Sequence, residues 1–96
     1  MGTKRSIEKH RANRHRHALQ RLRERYWPSA NHDDVIEIRN AAKAQFLAGF
    51  GYSGMDGVTV RVVVSKGAVT AVYIPRHNAL ATVLIGPVRS ATLSNR

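Results

Sequence analysis

Val58-Thr59-Val60-Arg61-Val62-Val63-Val64-Ser65-Lys66-Gly67-Ala68-Val69-Thr70-Ala71-Val72-Tyr73-Ile74 is the stretch that decides the fold of this chain. Apolar side chains fall at every second position from Val58 to Val64, the period of a β-strand with one buried face. Lys66-Gly67 supplies a two-residue hairpin turn, with a glycine free to take positive φ, and Ala68 to Ile74 is the returning strand. Pro75-Arg76-His77-Asn78 turns the chain again, Ala79 to Ile85 reads as a third strand, and Gly86-Pro87 ends the sheet.

Register then assigns the faces. Pairing Ser65 with Ala68 and Ile74 with Ala79 gathers Val58, Val60, Val62, Val64, Val69, Ala71, Tyr73, Leu80, Thr82 and Leu84 on one side, the side expected beneath helices. Tyr73 and Thr82 are its polar members and fall near each other diagonally. The opposite side carries Arg61, Val63, Thr70, Val72, Ile74, Ala81, Val83 and Ile85. That is more apolar than a solvated sheet face should be. It predicts a cover, either the C-terminal tail or a protein partner such as a second copy, on Val63, Val72, Ile74, Val83 and Ile85.

Upstream of the sheet the period is helical. Ser6 can cap a basic helix running to about Tyr26, and Pro28 disfavours helical geometry at Trp27. Asn31 opens a second helix, with Asp33 and Asp34 in its first turn, and Val35, Ile38, Ala42 and Phe46 follow at helical spacing. Gly49 suits a left-handed position just past its end. Residues 49–57, with four glycines, read as a flexible loop without the spacing of a phosphate cradle. The expected architecture is α+β: two N-terminal helices packed on one face of a three- to four-stranded antiparallel sheet. It fills one domain over 1–96, with its compact core at about 6–86 and flexible ends at 1–5 and 88–96.

Charge is the strongest compositional signal. The 96 residues hold 16 Lys and Arg against 6 Asp and Glu, a formal net charge of +10. Nine of those basic residues, against two acids, lie in residues 1–27. Such a segment attracts polyanions by counterion release and steering. Nucleic acid, a membrane surface, an acidic protein or a merely solubilising tail would each account for it. The absence of cysteine excludes disulfides, thiolate metal sites and cysteine nucleophiles. No apolar run approaches a membrane span and no signal-peptide segment stands at the N-terminus, so a cytoplasmic protein with no membrane contact is expected. Five histidines without cysteine and without a His-Glu-x-x-His helix predict no metal site, and no cofactor motif is present.

Within the basic helix, His17, Arg21 and Arg25 recur at i, i+4 and i+8 and so form one stripe. His15 instead falls on the apolar stripe with Leu19 and Leu22. Arg11, Arg14 and Arg16 are candidates for sequence-indifferent contact with nucleic acid, and Lys66 and Arg76 for gripping flanking phosphates.

The run His-Ala-Leu-Gln-Arg-Leu-Arg-Glu-Arg-Tyr at 17–26, together with Val-Tyr-Ile-Pro-Arg-His-Asn-Ala-Leu-Ala-Thr-Val-Leu at 72–84, resembles a small domain family of phages and bacteria. That family is similar to the metal-independent ribonuclease superfamily of RelE-like and colicin D-like toxins. The resemblance covers roughly residues 15–86. It departs from the family pattern at Ile74, where an Asp commonly precedes the hairpin Pro, and in the aromatic-rich loop at 49–57. It implies two helices on an antiparallel sheet, RNA as partner, and a site at His17, Arg21, Arg25, Tyr73 and Thr82.

The implied chemistry uses the 2′-hydroxyl of RNA as nucleophile. His17 would serve as acid and base, Arg21 and Arg25 would bind phosphate, Tyr73 would move a proton or stack a base, and Thr82 would position. Each residue also has a plainer reading. His17 can be a surface histidine, Arg21 and Arg25 can pair with Glu24, Glu37 or Asp34, Tyr73 can be a core aromatic, and Thr82 an ordinary strand residue. Three functions follow: an RNA-cleaving toxin-like enzyme, a non-catalytic phage-type protein of the same fold that modulates a host protein or nucleic acid, and a simple nucleic-acid-binding domain. The last lacks, in sequence, the exposed aromatics interleaved with Lys and Arg that single-strand readers use.

Overall fold

The computed structural model describes residues 2–55 and 57–85, with side chains from Ala12 onward. Arg11's side chain, the Gly86-Pro87 sheet ending and the tail expected to cover the outer face lie outside the described residues. In chain order the elements are α1 (Gly2–Arg25), α2 (His32–Leu47), β1 (Tyr52–Gly54), β2 (Gly57–Val64), β3 (Gly67–Ile74), a 3-10 turn at Pro75–His77, and β4 (Ala79–Leu84). The strands form one antiparallel sheet in the order β1-β2-β3-β4. Two helices followed by this sheet make the α+β class that the sequence predicts.

Helix α1 begins at Gly2, ahead of the Ser6 cap read from the sequence. It stops before Pro28, where the amides of Tyr26 and Trp27 both donate to the Leu22 carbonyl. Arg23 Nε donates to the Ala30 carbonyl at 2.7 Å and ties down the connection to α2. Helix α2 opens on a reciprocal capping box: the Asn31 side chain accepts from the Asp34 amide, and the Asp34 carboxylate accepts from the Asn31 amide. Gly49, at φ 91°, takes the left-handed position after its last turn.

The hairpin between β2 and β3 turns one residue earlier than the sequence suggests. Val64 pairs with Gly67, so Ser65-Lys66 is the turn, and Val62, Val60 and Val58 stand opposite Val69, Ala71 and Tyr73. Glu37 on α2 explains the choice, since the Ser65 amide and hydroxyl both donate to its Oε2 at 2.8 Å. The register moves by two residues, and because strand side chains alternate with period two, face assignments in β2 and β3 are unchanged.

In β4 the faces do change. Ile74 pairs with Ala79 and Tyr73 with Leu80, but Val72 pairs with Thr82, Ala71 with Val83 and Thr70 with Leu84. One extra residue, Ala81, enters β4 as a bulge. It turns Thr82 and Leu84 to the outer side and Val83 to the inner side, correcting the expected placement of all three. The physical gain is direct: Val83 is fully buried where the unbulged strand would have put a threonine hydroxyl.

The core lies between helices and sheet. Ala18 and Leu22 of α1 and Val35, Ile38 and Ala42 of α2 pack on Val60, Val62, Val69, Ala71, Leu80 and Val83. Each of the larger aliphatics contributes about 1.5–3 kcal/mol by leaving water. Residues 49–57 are not wholly a loop, since Tyr52–Gly54 adds β1 to the edge of β2.

Candidate nucleic-acid interface

The stripe expected on α1 divides into separate environments. His17 is exposed, and so are Arg14 and Arg16. Arg21 is exposed and pairs with Glu24 at 3.1 Å, a solvated i,i+3 contact of little energetic weight. Arg25 is half-buried and donates at 2.7 Å to the carbonyl of Val83, so it works as a strut between α1 and β4. His15 is buried, its ring centroid 6.1 Å from that of His32, as its place on the apolar stripe requires.

Tyr73 is a core aromatic, 2% exposed, with its ring against Phe46 at 6.0 Å and its hydroxyl donating to Asn78 Oδ1 at 2.7 Å. Asn78 is held in the left-handed conformation (φ 48°, ψ 52°) at the end of the 3-10 turn, which presents its amide to that hydroxyl. Thr82 stands on the other side of the sheet. The inferred meeting of Tyr73 and Thr82 beneath α1 is therefore corrected: the bulge at Ala81 separates them by the thickness of the sheet.

Lys66, expected to grip a phosphate, forms an ion pair with Asp34 at 3.1 Å. The Asn31 amide bonded to Asp34 holds its carboxyl below the usual carboxylate range; burial opposes this, and the Lys66 bond and charge add to it. Asp34 and Glu37, offered as partners for Arg21 and Arg25, are instead both engaged with the Ser65-Lys66 turn.

The outer face of the sheet is a groove of about 760 Å³ rather than a flat apolar surface. A row crosses all four strands there: Tyr52 opposite Thr59, Thr59 opposite Val72, and Val72 opposite Thr82. Val72 and Ile74 are buried in its floor. Arg14 from α1 and Arg76 from the 3-10 turn line it together with Thr82, and among the described residues no acidic side chain does. Three residues singled out in the sequence for different tasks thus share one concavity. Of the other expected contact residues, Val63 is exposed, Ile85 is exposed just past β4, and Val83 belongs to the core.

Sequence reading missed Tyr52. It sits between Gly51 and Ser53-Gly54, in a strand too short to show a period. The available signal was an aromatic residue directly before a strong strand, within hairpin distance of it.

No helix among the described residues is long and apolar enough to cross a membrane. Compared with protein-family models, with curated proteins and with solved structures, the chain matches none.

Proposed function

We propose that this protein binds RNA, holding its phosphate backbone against the exposed basic side chains of α1. The observation that supports it is the state of Arg14, Arg16 and His17: all are exposed, and no hydrogen bond or ion pair holds them among the described residues. Arg21, Arg23 and Arg25 of the same helix instead make intramolecular contacts, with Glu24, Ala30 and Val83. Arginines left in water on a chain of net charge +10 are available to displace counterions from a polyanion.

The test is fluorescence anisotropy with a labelled RNA across a salt series. The expected result is binding that weakens with salt by about 0.7 log units per log unit of salt for each single-strand phosphate neutralised. The double variant Arg14→Glu/Arg16→Glu should lower affinity by about ten-fold and flatten the slope. No binding at about 50 mM salt would overturn the proposal and leave a protein partner, a reading that the exposed Leu47, Phe50 and Met55 favour.

Whether bound RNA is also cut is a narrower reading, supported by an exposed His17 one helical turn before Arg21. His17 would take the 2′-hydroxyl proton and later return one to the leaving 5′-oxygen, without Tyr73 or Thr82 beside it. Incubation with RNA in EDTA decides it: cyclic phosphate ends that vanish in His17→Ala mean cleavage, and intact RNA means binding alone.

A further inference from the structure

We infer that the groove on the outer face of the sheet is a site for an unpaired stretch of RNA. In this site one base stacks on Tyr52 and the adjoining phosphates lie against Arg14 and Arg76. The inference rests on the reading of the protein as an RNA binder and adds where, and in what form, the RNA is held.

Four observations converge on it. The row Tyr52–Thr59–Val72–Thr82 spans four strands, about 14 Å at the usual strand spacing. It therefore offers one aromatic face at its β1 edge, an apolar floor and two hydroxyls. Tyr52 is 59% exposed although it belongs to a strand, so its ring is free to meet a planar partner. The floor beside it is kept bare by Gly57, where a Cβ would stand 3.2 Å from Val72 Cγ1 and 2.6 Å from the Tyr73 carbonyl oxygen. Among the described residues the charge is of one sign, from Arg14 and Arg76, and Arg14 also belongs to the exposed arginines of α1. A backbone tracked along α1 thus enters the groove without crossing an acidic patch among the described residues.

This combination selects an unpaired strand over a duplex. Stacking on a side chain needs a base that is out of its own stack, and a paired base cannot present its face. The threonine hydroxyls can donate or accept, which suits base edges and ribose hydroxyls alike.

The test compares labelled octa-adenylate RNA, alone and annealed to its complement, on the full-length protein. Tyr52→Ala should weaken single-strand binding by about ten-fold while Tyr52→Phe, which keeps the ring, restores it. Arg76→Ala should weaken it less. Amide shifts on titrating the unmodified protein with octa-adenylate should include Tyr52, Thr59 and Thr82. Single-strand affinity unchanged in Tyr52→Ala, or amide shifts confined to α1, would overturn the groove while leaving RNA binding by α1 intact. Equal competition by polyglutamate and octa-adenylate would also overturn it, because charge alone would then account for binding. Failure of every RNA to bind at low salt would overturn both.

Discussion

The hydroxyl of Tyr26 stands 3.2 Å from the backbone nitrogen of Thr70, accepting its hydrogen, and donates in turn to the carbonyl of Leu84. Thr70 and Leu84 are cross-strand partners, so a side chain from the end of α1 is spliced into the ladder between β3 and β4. Helix and sheet are joined there by hydrogen bonds as well as by packing.

Tyr26→Phe keeps the ring and removes that bridge. It should destabilise the protein by about 1–3 kcal/mol, the range for leaving buried partners unmatched, measured as a lower urea midpoint with unchanged slope.

The bulge at Ala81 makes a paired prediction. Val83→Thr places a hydroxyl in the core and should cost about 1–3 kcal/mol, whereas Thr82→Val, on the half-exposed outer side, should change stability by less than about 0.5 kcal/mol. The opposite ranking would mean that β4 runs without the bulge.

Asp34 gives a pH dependence with a definite sign. Its folded pKa is depressed below 3.8 by the Asn31 amide bond, and further by Lys66. The folded state therefore gains stability above that value and loses it as pH falls through the lowered folded pKa. Acid unfolding of the wild type should steepen below about pH 4, and Asp34→Asn should reduce this slope while lowering stability at neutral pH. Asn31→Ala, which removes the other half of the capping box, should cost about 0.5–2 kcal/mol.

Gly57→Ala should be among the most damaging single changes. Its φ of 144° disfavours any side chain, and the added Cβ would lie 2.6 Å from the Tyr73 carbonyl oxygen. A loss of about 2 kcal/mol or more is expected, seen as a melting temperature lower by about 4–8 °C per kcal/mol.

These features differ in how far the sequence discloses them. The Asn31–Asp34 cap and the Gly49 stop are legible because each depends on residues within one turn. The β2 and β3 faces are legible because alternation survives a register shift of two. The bulge is not, because Ala81 is flanked by residues that suit either face. The one hint is that unbroken alternation puts a threonine in the core and Val83 outside. The proximity of Tyr73 and Thr82 depends on that face assignment alone, and the bulge removes it. Arg14, Arg76 and Thr82 are each legible as candidates, and their common location depends on three separate segments that no local pattern connects.

The two borders of the sheet have a consequence for the protein in concentrated solution. Along β4 a bulge breaks the repeat and Arg25 occupies the carbonyl of Val83, while β1 offers only three residues. The β4 rim is therefore a poor template, and recruitment of a foreign strand, the first step of β-type aggregation, would find its register instead at Val60–Val64 of β2, which β1 leaves unpaired among the described residues. Any chain that did add at Tyr52–Gly54 would crowd the ring of Tyr52, and self-association by that route would compete with ligand in the groove. Solubility and occupancy would then rise together.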